Sequence, residues 1–456
     1  MRQKLGRGNG RPGRLRCLRA SRILSGMIGR CLASRDNPWT ARVLAAICLA
    51  LAVSACRQDA ARCEKGLCPV GRVCNATTGM CEADASVSSG SAGVFGPFTL
   101  LKLAGGDLGA VAFDARHKSL ALLQAQGTGW KPTFIAGPAA AAGELAAGQA
   151  SAAGVAPDGQ VHVAWLRQSD ATLWYAVGSP GGWHREQVLL AAPGSVSRQM
   201  AIGLWLGAPT IAYRDNDIRG IRVVRRDDTG TWKTETVPAP LPRPGRAATQ
   251  PDLGRSLAMA IMPAGPAIAA YDAVDGDLVL AVRSAESWSV ARIAGSDPVT
   301  GADTGDCGDP SALALGPGGD LVVAYRNRSS GQVLVARSKS GVISHQVVAS
   351  AAWTDKASNS QRVGLLGTSL AVTLLPSGRA LVAMQDGSHI DVQVAAETPG
   401  GSFVAVKGSG SDGPHAWPSL LSRADGVVVA SVALNAAFGP AGGSLEKWTV
   451  PAGDTP

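Results

Sequence analysis

The sequence predicts an all-β fold in which one small sheet is repeated along most of the chain. Between Gln160 and Val188, apolar and polar residues alternate in three short runs separated by turns, and this period of two is typical of strands. Similar units recur at anchor residues that end a strong strand, namely Phe113, Trp165, Tyr213, Tyr271, Tyr325 and Met384, with a weaker copy at Ser431. The anchors lie 47 to 59 residues apart, which is the period of a propeller blade. We therefore predict a seven-bladed β-propeller, with a six-bladed ring or an open sandwich as alternatives.

Two further patterns indicate four strands in each blade. An aromatic residue follows five of the anchors by 17 to 19 residues, at Trp130, Trp183, Trp232, Trp288 and Phe403, and Val342 takes this place in the fifth copy. An additional apolar strand precedes each of several anchors, as in Leu257–Ile261. No long segment shows helical spacing, so almost no helix is expected. Phe98–Leu103 either begins the first blade or completes the last one, Pro418–Val450.

Residues 1–55 have the features of an export signal. Arg42 precedes Val43–Val53, eleven uncharged residues that are too few to span a bilayer and typical of a signal peptide. The segment Val53–Cys56 resembles the lipobox of bacterial lipoproteins, which implies cleavage before Cys56 and lipidation, including palmitate, of that thiol. The alternative is a short buried apolar segment that ends in an ordinary cysteine. Because 55 residues is long for a signal, we expect translation to start at Met27.

The distribution of charge argues against nucleic acid as a partner. The formal net charge is +9, but 11 of the 43 Lys and Arg residues and only one of the 34 acidic residues lie within residues 1–55. The remainder therefore has 32 basic and 33 acidic residues. A nearly neutral chain without a basic stripe lacks the electrostatic footprint of a nucleic-acid-binding protein.

Residues 56–82 form a predicted cysteine-rich segment behind the lipidated residue. Cys63, Cys68, Cys74 and Cys81 enclose four, five and six residues, and an exported segment this short needs covalent staples, so two disulfides in any of three pairings are expected. A zinc knuckle is the alternative. The pattern resembles the loosely EGF-like segments that follow the lipobox in some bacterial surface lipoproteins. Residues 83–97 are then predicted to be a flexible linker, and residues 98–456 the propeller. Cys307 remains unpaired and is predicted to be a small buried residue.

The repeats resemble those of sialidase-like, or neuraminidase-repeat, bacterial surface propellers. The segments Ser311–Leu315 and His162–Trp165, each followed by a later aromatic, carry this resemblance. It implies the fold more than the activity, because propellers include hydrolases, lectins and scaffolds. The nearest match to an Asp box, at Asp228, Gly230 and Trp232, lacks the serine and is one residue short.

Polar residues that follow the anchors are predicted to surround the mouth of the central channel, because the second strands of all blades end on one face. These residues are Asp114, Arg214, Asp215, Asp272, Arg326 and Asp386. As a site, they would suit an acidic sugar, with a carboxyl group for proton transfer and arginine for the sugar carboxylate. The simpler interpretation is that they are solvated turn residues. His162 is interpreted as an outward-facing strand residue, and Asp297, Asp303, Asp306 and Asp309 as an acidic loop, with a calcium site as the alternative.

From these patterns we predict a non-enzymatic binding or scaffold protein, lipid-anchored to a bacterial membrane. The outer membrane is the expected location, with the propeller facing the periplasm or the cell surface. The expected partners are the membrane and a glycan or protein ligand. A monomer without cofactor or metal is expected. The alternative function is a sialidase-like glycan hydrolase or lyase.

Overall fold

A computed structural model describes two short N-terminal segments, residues 72–75 and 80–83, and most of residues 93–451. Within the longer part, the residues that are not described are 95, 128, 168–169, 171, 191–195, 340, 356–359, 407–414 and 435–443. The chain divides into two units, Met1–Ser89 and Gly90–Pro456. Cys56, Cys63, Cys68 and the predicted signal lie outside the described residues.

The described part of the first unit is a single β-hairpin. Arg72–Asn75 pairs antiparallel with Met80–Ala83. In this register the backbones of Cys74 and Cys81 are directly opposite each other.

The second unit is a seven-bladed β-propeller, as predicted. Six blades are four-stranded antiparallel meanders, and the seventh has three strands among the described residues. In chain order, the strands are Thr99–Lys102, Leu108–Asp114, Ser119–Gln126 and Gly129–Ala136 (blade 1); Ala150–Val155, Val161–Arg167, Thr172–Ser179 and Gly182–Leu190 (blade 2); Val196–Trp205, Ala208–Asp215, Gly220–Arg226 and Trp232–Thr236 (blade 3); Leu253–Met262, Gly265–Asp272, Asp277–Arg283 and Trp288–Ala294 (blade 4); Cys307–Leu315, Leu321–Asn327, Gln332–Lys339 and Val342–Ser350 (blade 5); Leu366–Leu374, Ala380–Asp386, Asp391–Glu397 and Phe403–Val406 (blade 6); and His415–Arg423, Gly426–Ala433 and Ser444–Pro451 (blade 7). A separate hairpin, Ala352–Asp355 with Ser360–Val363, lies between blades 5 and 6 in the chain.

The anchor residues are core residues of the second strands. Trp165, Tyr213, Tyr271 and Tyr325 are all buried, and so are Phe113 and Met384. Buried second-strand residues pack against residues of the neighbouring blades, which explains why the second strands are nearly continuous apolar runs. The later aromatics begin or nearly begin the fourth strands, and they pack against the preceding blade, as Trp232 does against Tyr175.

The first strands form the inner wall of the ring. Each is in contact with the first strand of the next blade, all the way around from blade 1 to blade 7 and back. The serines that recur near the starts of these strands join neighbouring blades, because Ser256 Oγ accepts a hydrogen bond from the Ser311 amide at 2.9 Å. The same kind of bond closes the ring, from the Leu100 amide to Ser419 Oγ at 3.3 Å.

The structure resolves the role of residues 98–103. Thr99–Lys102 pairs with Leu108–Asp114 across a short turn that contains the 3-10 segment Ala104–Gly106, so it begins blade 1. Blades 1 and 7 are instead joined by a shared apolar core and by a hydrogen bond from Trp130 Nε1 to the Leu445 carbonyl at 2.8 Å.

The start of the propeller unit differs from the predicted boundary at residue 98. Val94 is fully buried in the core between blades 1 and 7 and forms a β-bridge with Asp114. The end of the predicted flexible linker is therefore packed against the first blade. Apart from the short 3-10 turn the described part is built from strands, and it includes no helix with the length and hydropathy that a membrane-spanning segment needs.

Candidate functional site

The predicted channel-mouth residues end second strands on the same face of the ring, but most of them have local partners. Asp114 accepts a hydrogen bond from the Arg116 amide and contacts His117 Nδ1 at 2.7 Å. Asp386 repeats this arrangement with the Ser388 amide and with His389 Nδ1 at 2.6 Å. An aspartate that accepts the amide two residues later closes an Asx turn, so both residues fix the turn to the third strand.

Asp215 binds within its own blade, whereas Arg326 binds the connection between blades 5 and 6. Asp215 accepts the Asp217 amide and the guanidinium of Arg222, whose Nε lies 2.6 Å away. Arg326 donates to the Gly364 carbonyl at 3.3 Å, and its burial lowers the pKa of the guanidinium. Neither residue is joined to another member of the predicted ring by these bonds.

These aspartates close turns, but the interpretation that they are solvated is wrong. Asp114, Asp215, Asp272 and Asp386 are all buried, and Asp272 has no exposed surface. Each accepts the backbone amide two residues later, in the turn that follows its strand. Buried carboxylates require such hydrogen-bond partners.

Two of the predicted residues are brought together through a third that the sequence did not single out. Asp252 Oδ1 lies 2.7 Å from Arg214 Nη2, and the Asp252 amide donates to Asp272 Oδ1 at 3.1 Å. Burial would raise the pKa of Asp252, but the charges of Arg214 and Arg255 outweigh it and the pKa is lowered. Asp252 therefore stays ionised and joins the face of blade 3 to that of blade 4.

Asp252 ends a proline-rich connection, residues 237–252, that crosses from blade 3 to blade 4. Prolines occupy every second position from Pro238 to Pro244, and such spacing favours the polyproline II conformation, which has three residues per turn. Burial follows that period, since Val237, Pro240 and Arg243 are buried whereas the residues between them are exposed. The connection thus places one basic side chain against the propeller.

Arg243 binds a buried carboxylate at the edge of blade 4. Its Nε and Nη2 atoms lie 3.0 and 2.7 Å from the two oxygens of Asp277, which is fully buried. The hydrogen bond with Asp277 raises the pKa of Arg243. Arg292 shares this partner, with Nε 2.6 Å from Asp277 Oδ2, and its Nη2 lies 2.8 Å from Asp275 Oδ2. This ion-pair network holds the connection to blade 4.

A cavity of about 260 Å³ lies beneath the proline-rich connection. Its lining includes Pro240, Pro242, Arg243, Arg246, Asp275 and Arg292. Because the connection and the turn containing Asp275 both lie where second strands end, the cavity opens on the face that carries the predicted ring. It is displaced toward the fourth strand of blade 4, which contains Arg292.

The acidic loop after blade 4 does not assemble a metal site among the described residues. Asp297 accepts the amides of Val299 and Thr300. Asp306 accepts the hydroxyl of Tyr271, and Asp309 lies 3.4 Å from Arg328. Asp306 also lies 3.7 Å from Arg328 and so shares this partner with Asp309, and no group of three metal-binding side chains occurs in the part of the chain that the structure describes.

His162 and Cys307 are both buried in the propeller. His162 is not an outward-facing polar residue, because it is buried with Nδ1 2.5 Å from the Tyr175 hydroxyl, and burial lowers its pKa. Cys307 is buried, as predicted, and burial raises the pKa of its thiol to about 12. Such a thiol is protonated and unreactive at neutral pH.

Sequence reasoning missed Arg243, Arg246, Asp275, Asp277 and Arg292. The signal for Arg243 was present, since a period of three from Val237 through the proline-rich segment reaches it. The signal for Asp277 was weaker. It lies opposite Asp272 across the turn, as Asp391 lies opposite Asp386, so the pair of aspartates recurs in two blades.

No protein-family model matches the chain, and no curated protein sequence matches it. Among solved structures, the streptogramin B lyase is 10% identical with a TM-score of 0.46, over 78% of this chain and 93% of the other. The Aleuria aurantia lectin, described as a six-bladed propeller that recognises fucose, is 14% identical with a TM-score of 0.44, over 70% and 99%. SapL1 lectin, solved with α-methyl fucoside, is 13% identical with a TM-score of 0.43, over 69% and 97%. At these identities the similarity concerns the propeller fold and not the function.

Proposed function

We propose that this chain is a non-catalytic binding protein, a propeller held at a bacterial membrane by lipid on Cys56. One observation carries the first half of the proposal. The carboxylates at the ends of the second strands act as hydrogen-bond acceptors for turn amides, and several are also paired with arginine or histidine.

Glycoside hydrolysis needs a different electrostatic environment. One carboxyl group must have a raised pKa, so that it is protonated and can donate to the leaving oxygen. On this face of the propeller, the pKa values of two carboxyl groups are lowered instead of raised. Burial alone would raise the pKa values of Asp252 and Asp386, yet the paired Arg214 and His389 lower them. These acids remain ionised at neutral pH and serve to hold the loops in place.

Binding and catalysis can be separated with the purified full chain. We expect glycan and protein arrays to identify a ligand, and incubation with any bound glycan to release no sugar product. Turnover that disappears in Asp272→Asn but persists in the control Asp425→Asn, an exposed residue of a turn in blade 7, would contradict the proposal and favour the sialidase-like alternative.

The membrane half of the proposal rests on the resemblance of Val53–Cys56 to a lipobox. A single acyl chain gives marginal membrane binding, so the two or three chains of a bacterial lipoprotein would be needed. We expect the wild-type chain to fractionate with the outer membrane and Cys56→Ala to be soluble or uncleaved, with a mass that lacks the lipid. Membrane association of Cys56→Ala with no change in mass would contradict lipid anchoring and leave the binding proposal intact.

The cysteine-rich segment is proposed to be a disulfide-bonded spacer. The paired backbone positions of Cys74 and Cys81 support a bridge between these two residues, which would leave Cys63 to pair with Cys68. We expect non-reducing peptide mapping to recover both linkages. Bound zinc or four free thiols would contradict this assignment.

A further inference from the structure

We infer that the cavity beneath the proline-rich connection binds a small hydroxylated carboxylic acid, of the chemical class of an acidic monosaccharide. The inference rests on the proposed binding function and assigns it a position and a ligand class. Three residues that line the cavity support it. Among the described residues, Arg243 has a nitrogen without a hydrogen-bond acceptor, Arg246 has no ion-pair partner, and Asp275 has an oxygen that can accept a further hydrogen bond.

The unused donor belongs to Arg243. Its Nε and Nη2 atoms are bound to Asp277, but Nη1 is buried and has no hydrogen-bond acceptor among the described residues. Asp303 Oδ2 lies 3.9 Å from it, beyond hydrogen-bonding distance. The side chain is only 1% exposed. An unsatisfied buried donor is unfavourable, so a ligand oxygen that draws this guanidinium toward the cavity would gain a hydrogen bond that the free protein lacks.

The free cation is Arg246. It lines the same cavity and is exposed, and its side chain enters no ion pair or hydrogen bond with any described residue. A guanidinium binds a carboxylate most strongly through two parallel hydrogen bonds from its own fork, and Arg246 has that fork available at the cavity.

The acceptor is Asp275. Arg292 is bound to its Oδ2 atom, whereas Oδ1 enters no hydrogen bond or ion pair within the described part of the chain. A carboxylate in this position repels a dianion such as phosphate or sulfate more than a monoanion, and it accepts hydrogen bonds from ligand hydroxyls. The cavity therefore favours a single negative charge with hydroxyl groups next to it.

The volume and the lining residues of the cavity suit a single sugar ring. The volume of about 260 Å³ is slightly below the range of roughly 300 to 1,000 Å³ that is typical of sites for drug-sized ligands. Pro240 and Pro242 supply apolar surface for the C–H face of a ring. An oligosaccharide would have only one residue inside.

Isothermal titration calorimetry of the full chain tests this assignment. The probes are glucuronate and N-acetylneuraminate, with neutral glucose, inorganic phosphate and inorganic sulfate for comparison. We expect at least one of the two acids to bind, glucose not to bind, and the inorganic anions to bind more weakly than the acid. Equal binding of glucose, tighter binding of phosphate or sulfate, or no binding of either acid would overturn the inference.

Matched arginine variants locate the binding. Arg246→Ala should weaken the bound acid by about tenfold or more, because a hydrogen bond between charged groups is lost, and should unfold at the same urea concentration as wild type. The affinity of Arg246→Lys for the acid should lie between those of wild type and Arg246→Ala, because lysine keeps the positive charge but cannot donate two parallel hydrogen bonds to one carboxylate. The control is Arg219→Ala, a partly exposed arginine that lies 3.5 Å from Asp252, outside the cavity lining, and it should bind as wild type does. Unchanged affinity in Arg246→Ala would overturn the inference.

The outcomes separate this inference from the proposed function. If arrays identify a ligand whose binding Arg246→Ala does not affect, the cavity assignment fails and the binding function remains. If an acidic sugar binds at the cavity and is hydrolysed, the non-catalytic proposal fails and the site remains.

Discussion

In blades 4 and 6, the turn between the second and third strands is bounded by two paired aspartates. Asp272 lies opposite Asp277 in blade 4, and Asp386 lies opposite Asp391 in blade 6. In blade 6, Asp386 bonds with its own turn and with exposed His389, and among the described residues Asp391 accepts only the Val392 amide. In blade 4, both aspartates are fully buried beside arginines.

The difference arises from the connection that crosses the turn. The proline-rich segment of residues 237–252 brings Arg243 onto Asp277, while the described residues of blade 6 bring no arginine to Asp391. The position in the repeat therefore determines the backbone role of an aspartate, and its neighbours in space determine its electrostatic role. Four experiments compare the two blades, in order of decreasing expected effect.

The largest difference is expected between Asp277→Ala and Asp391→Ala. Removing Asp277 leaves buried Arg243 without its partner, and an uncompensated buried charge destabilises a protein by about 3 to 5 kcal/mol. Asp391→Ala should change the free energy of unfolding by less than about 1 kcal/mol, as surface substitutions usually do. Urea unfolding of both variants at pH 7 measures this difference. Equal losses would show that the ion-pair network does not stabilise blade 4.

A glycine near the network should be more sensitive to substitution than a glycine in a turn of blade 6. Gly295 and Gly378 both have positive φ angles, so alanine strains each by roughly 1 to 2 kcal/mol. A Cβ at Gly295 would also lie 2.4 Å from Asp277 Oδ1, whereas one at Gly378 meets nothing within 4 Å. We expect Gly295→Ala to lower the urea midpoint clearly more than Gly378→Ala. The added Cβ would also lie 2.6 Å from the Gly276 carbonyl, so the same midpoint in both would mean that Asp277 and the backbone beside it can move without penalty.

The first aspartates of the two pairs should differ by less. Asp272 accepts the amides of Asp252 and Val274 in a fully buried position, and leaving such donors unsatisfied costs about 1 to 3 kcal/mol. Asp386→Ala frees the amides of Ser388 and His389, which belong to exposed residues that water can reach, and removes an exposed ion-pair partner, so it should cost about 1 kcal/mol or less. The expectation from sequence, that Asp272 behaves as a surface residue, would be restored if Asp272→Ala unfolds at the wild-type urea midpoint.

Of the described side chains that bind these aspartates, His389 in blade 6 should titrate near neutral pH. The hydrogen bond and the charge of Asp386 raise the pKa of His389. Burial would raise the pKa of Asp386, but the hydrogen bond with His389 outweighs burial and the pKa of Asp386 is lowered. The histidine contribution to stability is therefore fully present below the ordinary histidine pKa and is lost as pH rises through the raised value. The aspartate contribution is lost as pH falls through its lowered pKa.

NMR titration of the His389 ring measures this coupling. In Asp386→Asn the histidine pKa should fall back toward its ordinary value of about 6.5, while Asp391→Asn should shift it less, since Asp391 is the weaker cause. An unchanged His389 pKa in Asp386→Asn would contradict the pairing. In blade 4 the partner is a guanidinium, which stays charged throughout this pH range.

The blades were predictable from local patterns. Alternation with a period of two, glycine turns and regularly spaced aromatics indicated the seven repeats, the four-stranded blade and the burial of the anchor residues. Even the turn-closing role of Asp114 and Asp386 follows from their own neighbours in sequence. These features depend on residues within one hairpin, so a short window of sequence contains the information.

The candidate cavity was not predictable in this way. Arg243 lies outside the repeats and is 34 residues from Asp277, and Arg246 and Asp275 meet only because the connection folds back over blade 4. The sequence by itself determined the strands, the turns between them and which faces are apolar, because these features depend on residues within one hairpin. Only the tertiary structure decided which aspartates are buried and which arginines neutralise them, because desolvation and charge pairing depend on neighbours that are distant in the chain.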